Sequence, residues 1–186
     1  MPFSGPYWVS KFPSSKSTDD LVEPFRTSAK RFIAALQAAQ ASVVVDDTYR
    51  PVERAYLMRF AWEIARNNFS PANVKAQAGV DIQWVHLDPL GQPDLAASKA
   101  AAEQMVQGYA IAFEPVLATR HTERLAVDMT ITWQGDLTIA AGDGSLTTIT
   151  SLPRTGAGNT DLHAVGATYG VIKLVKDHPH WSSDGH

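Results

Sequence analysis

Apolar positions change their spacing several times along the chain, and each change marks an element. Residues 1–23 show no period; Pro2, Pro6, Pro13 and a serine-rich stretch read as an extended lead-in draped over the domain. From Phe25 the spacing becomes helical, with Phe25, Ala29, Phe32, Ile33 and Leu36 on one face and Pro24 near the first turn, where its missing N–H costs nothing. Val43, Val44 and Val45 predict a short buried strand that Asp46-Asp47-Thr48 breaks. A second helix comes next, with Val52, Tyr56, Phe60 and Ile64 as its apolar face. Residues 68–94 mix Pro, Gly, Asn and Gln and predict a long irregular excursion, of the kind that often lines a site, holding at most the strand-like Ile82-Gln83-Trp84-Val85. Asp94 is placed to cap an alanine-rich helix from about Leu95 to Gln107, stopped by Gly108.

Beyond His121 the period falls to two. Asp128, Thr130 and Thr132 share one face of a strand, and Val127, Met129, Ile131 and Trp133 share the other. Gln134-Gly135-Asp136 turns the chain into Leu137-Thr138-Ile139, and Leu146 to Ile149 offers a further strand. Helices that precede antiparallel strands predict an α+β class, with N-terminal helices packed on a small antiparallel sheet. A chain of 186 residues with 45% hydrophobic content is long enough for one sizeable core, so residues 24–186 are expected to form a single domain.

Charge and composition narrow the chemistry. The net charge is −3 and no Lys/Arg cluster occurs, so neither nucleic acid nor an anionic membrane is the expected partner. No apolar run is long enough for membrane insertion. Met1-Pro2-Phe3-Ser4 lacks the basic start of a secretory signal, so the chain is expected to be synthesised in the cytoplasm without one. Cysteine is absent, which removes disulfides, a thiolate nucleophile and sulfur-ligated metal sites. Any metal must sit on histidines and carboxylates.

A catalytic zinc usually takes three protein ligands and leaves a fourth position open. His121 lies seven residues before Asp128, so a loop residue and a strand residue can converge across one short connection. His180 closes Asp177-His178-Pro179-His180, where Asp177 is near enough to act as a base beside a metal that His180 holds. On spacing alone, the plainer reading of a loop histidine and a strand-edge aspartate stands ahead of a metal site. His178 competes with His180, while His86 and His163 read as hydrogen-bonded histidines without a ligand role.

In combination these residues resemble the zinc peptidases of the D-alanyl-D-alanine carboxypeptidase and L-alanyl-D-glutamate endopeptidase family, which cut peptidoglycan stem peptides. That family's S-x-H-x-x-G-x-A-x-D signature is met by Thr119-Arg120-His121-Thr122-Glu123-Arg124-Leu125-Ala126-Val127-Asp128, matching His, Ala and Asp. Its closing acid-x-x-His is met by Asp177 and His180, followed by Trp181, and its upstream arginine motif by Tyr49-Arg50-Pro51. The likeness runs from about residue 24 to 182.

The resemblance implies zinc on His121, Asp128 and His180, Asp177 as general base and Arg50 as oxyanion stabiliser. Thr119, Arg120, Arg124 and Trp181 are then expected on the substrate side. Two positions depart from the pattern: Thr119 replaces serine and keeps the hydroxyl, while Arg124 replaces a glycine at a position expected to need positive φ. An aspartate as base favours endopeptidase over carboxypeptidase action. The expected substrate is the stem peptide of a periplasmic or extracellular cell wall. A phage lysin and a secreted antibacterial effector both fit, the latter with an immunity protein or delivery component as partner. The alternative from another class is an inactive wall-binding module that keeps the fold.

Overall fold

The computed structural model describes residues 1–186. Its helices are α1 (Phe25–Ala38), α2 (Val52–Arg66), α3 (Leu95–Gly108) and α4 (Thr160–Thr168). Its strands are β1 (Ser42–Asp47), β2 (His86–Leu87), β3 (Pro93–Asp94), β4 (Ala126–Thr132), β5 (Leu137–Ala140), β6 (Leu146–Ile149), β7 (Ile172–Lys173) and β8 (His180–Ser182). The class is α+β, as the order of periods predicts. No helix is long and apolar enough to cross a membrane.

The chain divides into two compact units, Met1–Pro13 with Pro51–Thr119, and Ser14–Arg50 with Arg120–His186. The first 23 residues are shared between the units and carry two short 3₁₀ helices, Pro6–Ser10 and Thr18–Asp20. Each unit has a hydrophobic cluster of its own.

In the first unit α2 packs on α3. Asp94 caps α3 as predicted, its side chain accepting the Ala97 N–H at 2.9 Å. The buried face of α2 differs from the expected one. Val52 is exposed and Phe60 half-buried, while Ala55, Leu57, Ala61 and Ala65 join Tyr56 and Ile64 inside. Small residues there let the neighbouring helix approach closely, a reason for burial that a search for large apolar side chains overlooks. The strand expected at Ile82–Val85 does not form. Ile82 and Trp84 pack in the core without a ladder, and the short strand begins at His86.

The second unit holds the one larger sheet, antiparallel throughout, in the order β1-β4-β8-β7. β4 alternates as its sequence predicts, with Val127, Met129 and Ile131 buried and Thr130 and Thr132 exposed. β1 runs through Asp47 instead of ending before Asp46, and its valines are half-buried or exposed rather than buried. Between Val45 and Asp47 the register with β4 shifts by a bulge. Phe25, Ala29, Phe32 and Leu36 of α1 meet the buried side of β4 and Trp181, as the helical spacing requires. α4 completes this core. Its Gly166 lies so close to Trp181 that an added Cβ would stand 2.7 Å from the indole ring.

Candidate metal centre

The local fold brings three side chains of the second unit together. Asp128 points away from the core because the pleat of β4 alternates. Antiparallel pairing sets His180 of β8 directly opposite Asp128, so the two are cross-strand neighbours. His121 arrives from a tight turn in which the Arg124 N–H donates to His121 O at 3.2 Å and the Leu125 N–H to Arg120 O at 2.8 Å. This turn forces Arg124 to φ 63, the left-handed conformation anticipated where the resembled signature has glycine. The Arg124 guanidinium lies over the Tyr49 ring, 4.2 Å from its centroid.

His121 Nε2 and His180 Nδ1 each lie 3.1 Å from Asp128 Oδ1 and 3.1 Å from each other. One potential ligand atom from each of the three residues falls within 4.8 Å of the others. Both histidines are buried, at 3% and 5% exposure, and Asp128 is half-buried. The outward ring nitrogens are tied to main-chain oxygens: His121 Nδ1 to Thr48 O at 3.1 Å and His180 Nε2 to His186 O at 3.0 Å. Such an oxygen accepts, so the nitrogen facing it carries the proton. The inward nitrogens are left with their lone pairs, the tautomers a metal needs.

When the inward nitrogens are protonated instead, both histidines become cationic donors to Asp128: burial alone would raise its carboxyl pKa, yet these hydrogen bonds and charges hold it well below the usual carboxylate range. For His121 burial pulls downward but is outweighed by Asp128, so its pKa is raised; Asp47 adds to the rise and Arg50 opposes it. Two imidazole nitrogens and a carboxylate oxygen lie close enough together in one largely buried spot to hold a metal ion between them. The residues fit a metal ion.

Arg50 stands beside the cluster. Its N–H donates to His121 O at 3.2 Å, and its Nη2 donates to Asp47 Oδ2 at 2.8 Å. Asp47 lies opposite Asp128 across β1 and β4, and its buried Oδ1 has no partner. The bulge just before it turns that carboxylate inward. Sequence reasoning treats Asp47 as a strand breaker and misses it; the signal available is its spacing three residues ahead of Arg50, which permits this pair.

The remaining expected residues are dispersed. Asp177 is exposed; its main chain forms the turn into His180, with the His180 N–H donating to Asp177 O at 3.2 Å, and its carboxylate is not among the converging groups. Arg120 is bound to Glu123 and Asp184, and Arg124 is exposed on the turn. Thr119 is half-buried at the end of the first unit. Trp181 corrects an expectation: it is fully buried against Phe32 and His163, so it anchors the strand of His180 and offers no surface to a substrate. His178 is exposed, His86 bonds Ser4 Oγ at 3.0 Å, and His163 bonds Gly156 O at 2.9 Å, so none of them joins the cluster.

A second residue that sequence reasoning misses is Lys173. Nearly buried in β7, its Nζ donates to the carbonyls of Leu174, Asp177 and His180 at 2.6, 2.5 and 3.2 Å, fastening the loop that ends at the metal-facing histidine. Its place between Ile172 and Leu174 is the available hint of an inward lysine. Beside Asp128 a groove of about 520 Å³ runs along β4, lined among others by Asp46, Thr130, Thr132, Thr155 and His178. Compared with protein-family models and with curated proteins, the chain matches none.

Proposed function

We propose that this chain is a zinc-dependent peptidase that hydrolyses an amide bond of the peptidoglycan stem peptide or cross-link, with endopeptidase favoured over D,D-carboxypeptidase action. The observation that carries the reading is the His121, Asp128 and His180 cluster, with both outward ring nitrogens tethered and Arg50 hydrogen-bonded to the His121 main chain. His121, Asp128 and His180 hold the zinc. When bound there, it supplies Lewis acidity for attack of water on the amide carbonyl. Asp177 takes the proton from the attacking water and returns it to the leaving amine. Arg50, steadied by Asp47, donates to the carbonyl oxygen as negative charge develops on it. The enzyme acts at a periplasmic or extracellular wall, as a phage lysin or secreted effector.

The exposure of Asp177 supports a second reading, a wall-binding module that keeps the metal cluster without hydrolysis. One experiment separates the two. Purified protein loaded with zinc is incubated with peptidoglycan, and the products are read by mass spectrometry beside those of Asp177→Ala. The peptidase reading expects cleavage by the natural chain and, for the variant, full zinc content with at least a 100-fold loss of rate. Equal digestion by the variant removes Asp177 from the mechanism. Binding to peptidoglycan without cleavage by the natural chain selects the wall-binding module.

A further inference from the structure

We infer that the groove beside Asp128 contains a two-group gap in the sheet that seats the main chain of one substrate residue, on the leaving-group side of the bond cut; this rests on the peptidase reading. β4 is flanked by β1 along one edge, and along the other by β8 only as far as Pro179. The Met129 N–H donates to Pro179 O at 2.8 Å, and Ile131 O accepts the Gly156 N–H at 2.8 Å. Hydrogen-bonding direction alternates along a strand, so the main-chain groups of Met129 and Ile131 all face this second edge and away from β1.

Two of those four groups have no protein partner. Met129 O would take its bond from the residue opposite, but that residue is Pro179, which has no N–H. Ile131 N–H would need a carbonyl from the chain preceding Pro179, and that chain has turned away at Asp177, whose N–H closes on Leu174 O at 3.1 Å. Beyond the gap, Thr155 bridges Thr132 and takes over the edge. An acceptor and a donor, two residues apart, are thus left open between filled neighbours. Met129 and Ile131 line the groove, with 1% and 2% of their surface left exposed.

In a parallel pairing one residue fills such a gap, its N–H donating to Met129 O and its C=O accepting from Ile131 N–H. An antiparallel segment would need three residues, and Pro179 and Gly156 already occupy the flanks. A residue seated parallel to β4 has its N-terminal side toward Asp128. The bond presented to the cluster therefore precedes it, and the seat lies roughly 7 Å along the strand from Asp128. A seat on this side is extended by the continuing chain of an endopeptidase substrate, whereas a carboxypeptidase substrate ends there.

The test uses the full chain loaded with zinc and a synthetic stem pentapeptide, with amide hydrogen exchange followed by NMR. On binding, exchange of the Ile131 amide slows at least 10-fold, while the already bonded Met129 and Gly156 amides hold their rates. A second measurement uses Pro179→Ala, which supplies the N–H that Met129 O lacks and closes half the gap. It raises KM about 10-fold with zinc content unchanged. Peptide that is bound and cleaved with Ile131 exchange unaltered, or an unaltered KM in Pro179→Ala, overturns the seat and leaves the peptidase reading standing. Peptide neither bound nor cleaved by the natural chain overturns both.

Discussion

His121 and His180 face each other through different nitrogens, Nε2 and Nδ1, only 3.1 Å apart. Two ring nitrogens whose protons are drawn off to opposite main-chain oxygens would repel at this distance unless a proton or a cation lies between them. Asp128 Oδ1, at 3.1 Å from each, adds a third electron-rich atom. The cluster is held in shape by its surroundings, and metal and protons compete for the same lone pairs.

The first prediction concerns metal content. His121→Ala and His180→Ala each remove a donor and are expected to lower zinc affinity at least 100-fold, measured by competition with a chromophoric chelator. Asp47→Asn is expected to leave zinc bound, because Asp47 holds Arg50 and is not one of the three converging groups. Zinc retained in full by His121→Ala would remove that residue from the ligand set.

Stability of the metal-free protein should depend on pH in a defined direction. The folded His121 pKa is raised above its ordinary value of about 6.5, so its contribution is full below that value and is lost as pH rises through the folded pKa. The Asp128 pKa is depressed, so its contribution is present above about pH 4 and is lost as pH falls through the folded pKa. With chelator present, Tm is expected to peak near pH 4 to 6.5 and decline toward pH 8. With zinc the order reverses, Tm at pH 8 exceeding that at pH 5, because the protons that bind His121 displace the metal. Calorimetry with and without zinc checks this, and parallel curves would contradict it.

Lys173→Met keeps the stem of the side chain and removes three charge-assisted bonds, to the carbonyls of Leu174, Asp177 and His180. The expected cost is about 1 to 3 kcal/mol in urea unfolding, from carbonyls left short of a donor. Zinc affinity should fall as well, since the loop bearing His180 loosens. Lys173→Arg, with donors but a longer and planar head, is expected to recover part of the affinity. A Met variant as stable as the natural chain would show that the carbonyls find water instead.

Gly166→Ala tests the packing behind the cluster. A methyl there would stand 2.7 Å from the Trp181 ring and 2.9 Å from Val171 O, so α4 or the indole must shift. A loss of about 1 to 3 kcal/mol is expected. Because Trp181 adjoins His180, zinc affinity should decline with it, whereas Gly135→Ala, whose added methyl would meet nothing within 4 Å but whose φ is 66, should lower stability through backbone strain and leave the metal untouched.

Long, regular periods in the sequence carry over into structure. The alternation from Val127 to Trp133 places Asp128 on the open face of β4, and the spacing of Phe25, Ala29, Phe32 and Leu36 gives the buried side of α1. The features that escape are short or tertiary in origin. β7 and β8 have two and three residues, too few to show a period, and α4 spans nine residues with a glycine inside. Trp181 reads as a surface aromatic because it follows a histidine expected to be a metal ligand. Only the meeting of α1 and α4 over β8 shows why it must be inside. Asp47 and Lys173 escape for related reasons: Asp47 is placed by a bulge opposite Asp128, and Lys173 finds its partners in the main chain.

Both histidines take their orientation from main-chain oxygens, Thr48 O and His186 O, and not from side chains. At position 48 the side chain is itself fully buried, its hydroxyl donating to Ser15 O and Ser17 O at 2.9 Å each, so a substitution there displaces the acceptor. The ring tautomers therefore depend on how firmly the main chain is held at residues 48 and 186, and the buried hydroxyl of Thr48 is part of that hold.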